Sequence, residues 1–278
     1  MAIPTLLQYL VPQKTLSGIV RKATRWSWQP WKDFLIRRVV RACGVDMTEA
    51  AQTDPRAYET FNAFFTRALR MGTRHADGDA DTVVSPADGT ISQIGNIDEG
   101  RILQAKGRHY TVAELVADEA LAENYREGCF ATIYLSPRDY HRVHMPLGGE
   151  LVETLHVPGR LFSVAPGPVA GIPRLFARNE RLICHFHGSR GPFVVALVGA
   201  MLVSGITTVW SGPEVPPYAR AMTRRDWRGR GIRLARFAEM ARFEMGSTVI
   251  VLLPWPGRLD RTFASESQVQ VGQRLGHL

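Results

Sequence analysis

The sequence predicts an α+β fold, with a mainly antiparallel β body and a basic, helical N-terminal segment. Apolar residues in the first 56 positions recur at helical spacing, whereas from Val83 onward short Val-, Ile- and Thr-rich runs alternate with Gly, Pro and Asp turns. Pro55 and the polar run before it mark a boundary. We therefore predict an amphipathic helical segment over residues 1–56 and a β-rich domain over 57–278, which together are long enough to bury a large core.

The N-terminal segment mixes basic residues with tryptophan. Apolar residues in 6–11 have helical spacing, and after a predicted break at Gly18 the pattern continues from Ile19 to Cys43. Eight basic residues and one acid lie between Lys14 and Arg41, together with Trp26, Trp28 and Trp31. Such a mixture is typical of helices that lie in a membrane interface. A helical cap with buried tryptophans and solvated charges is the alternative.

Composition narrows the range of partners and compartments. The formal net charge of +8 favours an anionic partner such as anionic lipid, an acidic substrate or nucleic acid. No stacking module or recognition motif follows the basic segment, so we predict no nucleic-acid partner. The three cysteines form no CxxC pair, which fits a reducing compartment. We see no signal peptide, and the uncharged window 192–210 is predicted as two strands with a bend near 199–205 rather than a membrane helix.

The body is predicted to be mostly strands. Tyr58 to Leu69 should form a short helix, and in the remainder a helical pattern is limited to Val112 to Tyr125. The predicted strands are Thr90 to Ile94, Arg101 to Ala105, Cys129 to Leu135, Glu150 to Val157, Arg181 to His187, Phe193 to Leu197, Leu202 to Trp210, Arg233 to Phe237 and Thr248 to Leu253.

Gly246 and Ser247 lie between two predicted strands near the C-terminus. The glycine has no Cβ, so its carbonyl can be approached closely, and the next residue carries a hydroxyl. That hydroxyl could attack the carbonyl if a base removed its proton. Most Gly-Ser pairs, however, are simply turns.

A carboxylate and two histidines are candidates for the supporting chemistry. Asp88 lies in an Asp-Gly turn, where it could also hydrogen-bond its own backbone. His141 and His144 share a Pro-bounded loop over 136–146. Asp88, His144 and Ser247 could form an orienting carboxylate, a base and a nucleophile, a constellation that occurs in any chain order.

Two other polar clusters have less specific interpretations. His185 and His187 form a His-x-His pair, but no nearby carboxylate completes a ligand set, so we predict no metal. Eight arginines and two acids lie between Arg220 and Arg242. They could form a solvated loop or contact a phosphate beside Ser247.

From about Tyr58 to Trp255, and more loosely over the N-terminal helices, the chain resembles phosphatidylserine decarboxylase proenzymes of the bacterial membrane-associated type. Met245 stands where that family often has leucine. The residues that carry the resemblance are 61–65 (FNAFF), 86–89 (PADG), 103–107 (LQAKG), 134–146 (YLSPRDYHRVHMP), 176–181 (FARNER) and 246–248 (GST).

The resemblance implies a self-processing decarboxylase. Asp88, His144 and Ser247 would act as a charge relay, and Ser247 Oγ would attack the Gly246 carbonyl to give chains 1–246 and 247–278. Ser247 would become a pyruvoyl cofactor that forms a Schiff base with the amine of phosphatidylserine, releasing CO2 and phosphatidylethanolamine without a metal. We add the hypothesis that His141 donates the quenching proton, because imidazole can be cationic near neutral pH.

The resemblance also implies partners and a location. The enzyme would lie peripherally on the cytoplasmic face of the cell membrane and bind phosphatidylserine and the anionic surface. Its two chains would stay together through the strand over 248–253, and a homodimer is compatible with the sequence. Deleting residues 1–45 should lower membrane association and leave self-cleavage largely intact. The alternatives are a conventional serine hydrolase that uses the same triad, or a non-enzymatic membrane-binding module, and both predict an uncut chain.

Overall fold

The computed structural model describes residues 7–105, 107–202, 205–216, 218, 220–244, 247–260, 263 and 265–278. Antiparallel sheets make up most of the body, and helices make up the N-terminal segment, which confirms the predicted α+β class. The helices are α1 (Leu7–Leu10), α2 (Gln13–Thr24), α3 (Gln29–Cys43), α4 (Phe61–Phe65), α5 (Val112–Val116), α6 (Glu119–Glu123), α7 (Pro166–Gly171) and α8 (Leu175–Arg178).

Helix boundaries differ from the prediction in three places, and in one of them the helix predicted from Tyr58 to Leu69 covers only Phe61–Phe65. The predicted break at Gly18 is wrong: Gly18 lies inside α2, and the chain turns instead at residues 25–28. Pro30 lacks the N–H that a continuous helix would need there, and this outweighs the modest cost of a helical glycine. The predicted helical stretch 112–125 is two helices, because Ala117 adopts the left-handed conformation with φ 55°. The short helices α7, which contains proline and glycine, and α8 were not predicted.

Each of the nine predicted strands overlaps an observed one, whereas several of the shorter strands were not predicted. The observed strands are β1 (Thr82–Val84), β2 (Gly89–Asn96), β3 (Arg101–Ala105), β4 (Arg108–Thr111), β5 (Cys129–Leu135), β6 (Arg142–His144), β7 (Gly149–Val157), β8 (Arg181–Gly188), β9 (Gly191–Val198), β10 (Ile206–Thr208), β11 (Gly212–Val215), β12 (Thr223–Asp226), β13 (Arg233–Leu234), β14 (Glu239–Phe243), β15 (Ser247–Leu253), β16 (Gln268–Val269) and β17 (Arg274–His277). The predicted strand over 202–210 is shorter, with residues 203–204 outside the described part, and the one over 233–237 ends at Leu234.

Strand β15 lies in the middle of the main sheet, whose order is β12-β7-β8-β9-β15-β5-β2-β16. It pairs antiparallel with β5 on one side and β9 on the other. Successive strand side chains point to opposite faces. Val249 and Val251 accordingly pack in one hydrophobic cluster, and Ile250 and Leu252 pack in another. The continuous apolar run after Ser247 is therefore explained by burial on both faces of the sheet.

A smaller sheet of order β11-β10-β14-β6 carries the histidine loop against the strand that precedes Ser247. Its pairing aligns Glu239 of β14 with His144 and Arg242 with Arg142 of β6. The two sheets are joined in sequence at residues 244–247, where β14 ends and β15 begins. The junction thus lies where the sequence predicted chemistry.

Helices α1 and α2 pack on the body through buried polar side chains, whereas α3 packs through Ile36 against Phe61, Phe64 and Phe65. Gln8 accepts a hydrogen bond from the Ser163 N–H at 2.9 Å, and Gln13 accepts one from the Leu161 N–H at 2.8 Å. By contrast, apolar residues of the same segment point outward, with Leu10 84% exposed. Among the described residues, no helix is long and apolar enough to span a bilayer.

Candidate active site

The sheet register brings Asp88 and Ser247 to the same end of the strands in the main sheet. Residue 88 immediately precedes β2, and Ser247 is the first residue of β15. Both strands flank β5, where Tyr134 pairs with Thr90 on one side and with Thr248 on the other. Two residues far apart in sequence therefore lie at the starts of the two strands that flank the end of β5.

Ser247 is fully buried, and among the described residues its Oγ has no hydrogen-bond partner. Buried hydroxyl groups are normally satisfied, so an unpaired one needs an explanation. A nucleophile held ready for a base is such an explanation. Gly246, the other half of the predicted cleavage site, lies outside the described residues.

His144 is held in a defined tautomer by its neighbours. Its Nδ1 lies 2.6 Å from the Phe237 carbonyl oxygen, which can only accept, so Nδ1 carries the proton. Nε2 is then the basic nitrogen, and it accepts a hydrogen bond from the Tyr140 hydroxyl at 3.1 Å. Burial lowers the pKa of His144 below its ordinary value, while the carboxylates of Glu239 and Asp88 act in the opposite direction. The ring is therefore a neutral base near pH 7.

The Phe237 carbonyl reaches His144 from a strained position. Phe237 has φ 69°, in the left-handed region that bulky side chains rarely adopt. Its N–H donates to the Met145 carbonyl at 2.9 Å, next to His144. Such strain persists where surrounding contacts impose it, and it is common at functional sites. This turn also ends the predicted strand over 233–237 early.

Asp88 is oriented by a cation and a backbone N–H. Arg74 contacts the two carboxylate oxygens at 3.1 and 2.5 Å, and the Val271 N–H donates to Oδ1 at 2.7 Å. The same guanidinium group binds both oxygens of Glu49, at 3.0 and 2.8 Å. Arg74 thus bridges two carboxylates and fixes the orientation of the Asp88 side chain.

The predicted relay residues lie near the same end of the main sheet, but among the described residues no hydrogen bonds join the three into a chain. The backbone N–H of His144 donates a hydrogen bond to the Pro86 carbonyl at 2.8 Å, and Pro86 is two residues from Asp88. The contacts described for the imidazole nitrogens go to Tyr140 and Phe237, and those of the Asp88 carboxylate go to Arg74 and Val271. Catalytic hydrogen bonds are often incomplete before the reacting state forms.

Comparison with known proteins decides the family. A family model described as phosphatidylserine decarboxylase matches residues 61–277, which includes every candidate site residue, and a second model, described as PSD, matches residues 3–42. The chain belongs to the phosphatidylserine decarboxylase family.

Curated relatives in this family cover the whole chain. A phosphatidylserine decarboxylase proenzyme of Xanthomonas euvesicatoria is 58% identical over 278 residues, covering 99% of each chain. One from Stenotrophomonas maltophilia is 56% identical over 280 residues and covers 100% of each. The N-terminal helices are therefore part of the similarity to these proteins, together with the β body.

In this decarboxylase-family site, His141 is buried in a different way from His144. Its ring packs on Phe65 with centroids 4.1 Å apart, and Nδ1 donates to the Asp139 carbonyl at 2.8 Å. Burial lowers its pKa to about 3, and among the described residues Nε2 has no partner. His141 is therefore neutral in the uncut chain, which differs from the cationic form on which its predicted role depended.

The arginine-rich stretch of this family member is mostly occupied by intramolecular contacts. Five of its arginines form ion pairs with carboxylates, and Arg236 donates to the carbonyls of Asp77 and Gly78. The ion-paired members are Arg224, Arg225, Arg228, Arg233 and Arg242. Contacts of Arg224, Arg225, Arg233 and Arg236 therefore attach β12, β13 and their turns to the body, whereas Arg228 and Arg242 pair with acids of the stretch itself.

Sequence reasoning missed Arg74, Tyr140 and the Phe237 carbonyl. Arg74 lies 14 residues from Asp88, with no spacing rule to connect the two. Tyr140 was within reach of prediction, because it directly precedes the paired histidines. The role of a backbone carbonyl cannot be read from residue types.

The candidate metal ligands His185 and His187 lie on β8, and no group of three or more ligand-type side chains clusters among the described residues.

Proposed function

We propose that this chain is the proenzyme of a phosphatidylserine decarboxylase, which cleaves itself between Gly246 and Ser247 and then converts phosphatidylserine to phosphatidylethanolamine and CO2. One observation carries the proposal. Within a chain of this family, the serine after the predicted scissile bond is fully buried, and its hydroxyl has no partner among the described residues. Asp88, His144 and Ser247 are the proposed relay.

The proposed self-cleavage starts with proton transfer from Ser247 Oγ to Nε2 of His144. Oγ then attacks the Gly246 carbonyl carbon, the amide C–N bond breaks, and an ester replaces it while the Ser247 nitrogen takes the proton. Elimination next removes the Cα proton of residue 247, breaks the Cβ–Oγ bond and releases Gly246 as a carboxylate, leaving a dehydroalanine that tautomerises to an imine. Water then displaces ammonia from the new N-terminus and leaves the pyruvoyl group. Asp88 and the Phe237 carbonyl would favour the protonated imidazole during the first step.

The surroundings of Ser247 fit a pyruvoyl group. A carbonyl at this position would lie at the buried start of β15, beside the loop that carries His141 and His144. The group supplies an electrophilic carbonyl that accepts the electrons released with CO2. The protein's part is to exclude water, to orient the substrate amine and to manage protons. The pairing of β15 with β5 and β9 supports retention of the 32-residue chain 247–278 after cleavage.

His141 remains our proposed proton donor, with an added condition. Because its pKa is about 3 in the uncut chain, Nε2 must gain a proton in the mature enzyme before it can donate one. His141→Ala should mature normally and decarboxylate slowly. A variant that self-cleaves and decarboxylates at the wild-type rate would remove His141 from the mechanism.

The exposed apolar side of the N-terminal segment supports a peripheral membrane location, which we propose to be the cytoplasmic face. Trp26, Trp28 and Phe34 are each 54% exposed and Ile19 is 61% exposed, while the polar residues Ser17 and Thr24 are buried. On α2 and the turn after it, this arrangement is the reverse of a helix packed on a protein core, whereas α3 buries Ile36 against the body. We propose phosphatidylserine and the anionic bilayer surface as its partners, and a homodimer stays a prediction.

A denaturing gel with intact-mass measurement tests the proposal. Wild-type protein should separate into chains 1–246 and 247–278, and Ser247→Ala should stay a single 31.0 kDa chain without activity. Hydroxylamine or borohydride should inactivate the mature enzyme. A single, active wild-type chain that reacts with a serine-directed phosphonate would instead identify a conventional hydrolase, and an uncut, inert chain would identify a membrane-binding module.

A further inference from the structure

The guanidinium group of Arg25 forms an ion pair with the carboxylate of Glu244. Arg25 belongs to the turn between α2 and α3, and Glu244 is the last described residue before the predicted scissile bond. The two residues are 219 positions apart, so the pair joins the N-terminal segment directly to the processing region. Glu244 is only 8% exposed, which makes an unpaired carboxylate there costly.

Glu244 is also held from the opposite side. Its Oε1 accepts a hydrogen bond from the Thr207 hydroxyl at 3.1 Å, and its N–H donates to the Gly205 carbonyl at 2.9 Å. A Cβ at Gly205 would collide with Glu244 Oε2, so the glycine leaves the space that the carboxylate occupies. Arg25 completes this set of contacts from the N-terminal segment.

We propose that Arg25 is a positioning residue for self-cleavage: by binding Glu244 it holds the chain ahead of the scissile bond in register with Ser247. This inference rests on the proposed function. Two residues separate Glu244 from Ser247, and Ser247 is itself held by its pairing with Leu135. Attack by Oγ on the preceding carbonyl needs the two groups in a narrow range of orientations, and anchoring both flanks restricts the chain to that range.

The same turn carries the exposed tryptophans. Trp26 and Trp28, with ring centroids 5.1 Å apart, follow Arg25 directly. The surface proposed to meet the membrane and the anchor of the processing region therefore share one turn. The sequence alone predicts that residues 1–45 can be removed with self-cleavage intact; the Arg25–Glu244 pair leads us to expect slower maturation of that truncated chain.

The test is a time course of precursor conversion, followed on denaturing gels for freshly purified full-length protein. Arg25→Ala should slow conversion on the order of 10- to 100-fold, and Arg25→Lys should recover most of the rate. Glu244→Gln, which keeps the shape and removes the charge, should also slow it. The double variant Arg25→Ala/Glu244→Gln should be no slower than the slower single variant, because both act through one contact. The matched control is Arg190→Ala, which removes an exposed ion pair with Asp81 and should convert at the wild-type rate.

Folding is checked in the uncut Ser247→Ala background by near-ultraviolet circular dichroism. If Arg25→Ala does not fold in that background, the conversion rates of Glu244→Gln and Arg25→Lys test the inference instead. Conversion of Arg25→Ala, or of a folded Glu244→Gln, at the rate of Arg190→Ala would overturn the inference while leaving the proposed function intact. A wild-type chain that never converts would overturn the proposed function itself.

Discussion

The hydroxyl of Tyr140 donates a hydrogen bond to Nε2 of His144, the nitrogen that must accept the Ser247 proton in the proposed self-cleavage. The contact stabilises the neutral ring, which is the reactive form of a base. It also competes with Ser247 for the same lone pair. Tyr140 must therefore release Nε2 as the reaction begins.

Replacing Tyr140 by phenylalanine should keep self-cleavage and shift its pH dependence. Because burial lowers the pKa of His144, the wild-type conversion rate should fall on acidification only at a lower pH than an exposed imidazole would require, as the ring is protonated. Loss of the donated hydrogen bond removes a contact that favours the neutral ring, so the midpoint of this fall should move to higher pH. The measurement is the conversion rate between pH 5 and 8. Complete loss of conversion would mean that Tyr140 takes part in proton transfer.

The burial of His141 should make the fold sensitive to acid. Its pKa is about 3 in the folded chain and about 6.5 when exposed, so below pH 6.5 the unfolded chain binds a proton that the folded chain does not. Stability should thus fall as the pH drops from 6.5 towards 3, by about 2 kcal/mol at pH 5 from this group.

Denaturant unfolding of the Ser247→Ala chain at pH 7 and pH 5 measures this difference. His141→Gln should reduce the pH dependence, whereas His109→Gln, a substitution at an exposed position of β4, should leave it unchanged. Equal losses of stability in His141→Gln and in its parent would show that other groups cause the acid sensitivity.

Removal of Arg74 should destabilise the chain and slow maturation together. The guanidinium side chain is 8% exposed and bridges Glu49 and Asp88, so Arg74→Ala leaves a nearly buried carboxylate unpaired, at a cost of about 3–5 kcal/mol. Arg74→Lys keeps the charge but loses the two-point contact, and we expect an intermediate effect.

The matched control for Arg74 is Arg101→Ala. Arg101 also lies between two carboxylates, Asp98 and Glu99, but on the surface, where such pairs contribute little. Thermal unfolding and conversion rate are measured for each variant. If Arg74→Ala has the same thermal stability and conversion rate as Arg101→Ala, the contact between Arg74 and Asp88 contributes neither to stability nor to maturation.

The double substitution Trp26→Ala/Trp28→Ala should weaken membrane association without affecting self-cleavage. The two indole rings are exposed and adjacent, and each would insert into the interfacial region of a bilayer. Sedimentation with vesicles that contain phosphatidylserine should recover several-fold less of this variant. Met71→Ala, at a 98% exposed apolar position outside the N-terminal helices, should bind as wild type. Equal recovery of both variants would place the membrane contact elsewhere.

Local patterns in the sequence determined much of this protein. Alternation, apolar runs and turn residues were sufficient to predict most strands of the main sheet and the α+β class, because each depends on neighbouring residues in the chain. The Gly-Ser-Thr and histidine-loop motifs were sufficient to name the candidate relay and the family. The break in the N-terminal helices was misplaced, because a glycine inside α2 is tolerated once the helix packs on the body.

The tertiary structure alone decided which groups meet. Contacts between Arg74 and Asp88, Tyr140 and His144, and Arg25 and Glu244 join separate elements and depend on sheet register and helix packing, which no local pattern encodes. Burial likewise decided the charge of His141, since an imidazole that sequence allows to be cationic becomes neutral when water is removed from around it. Sequence thus identified the proposed reacting groups of this chain, and packing determined the protonation of His141 and the contacts of the others.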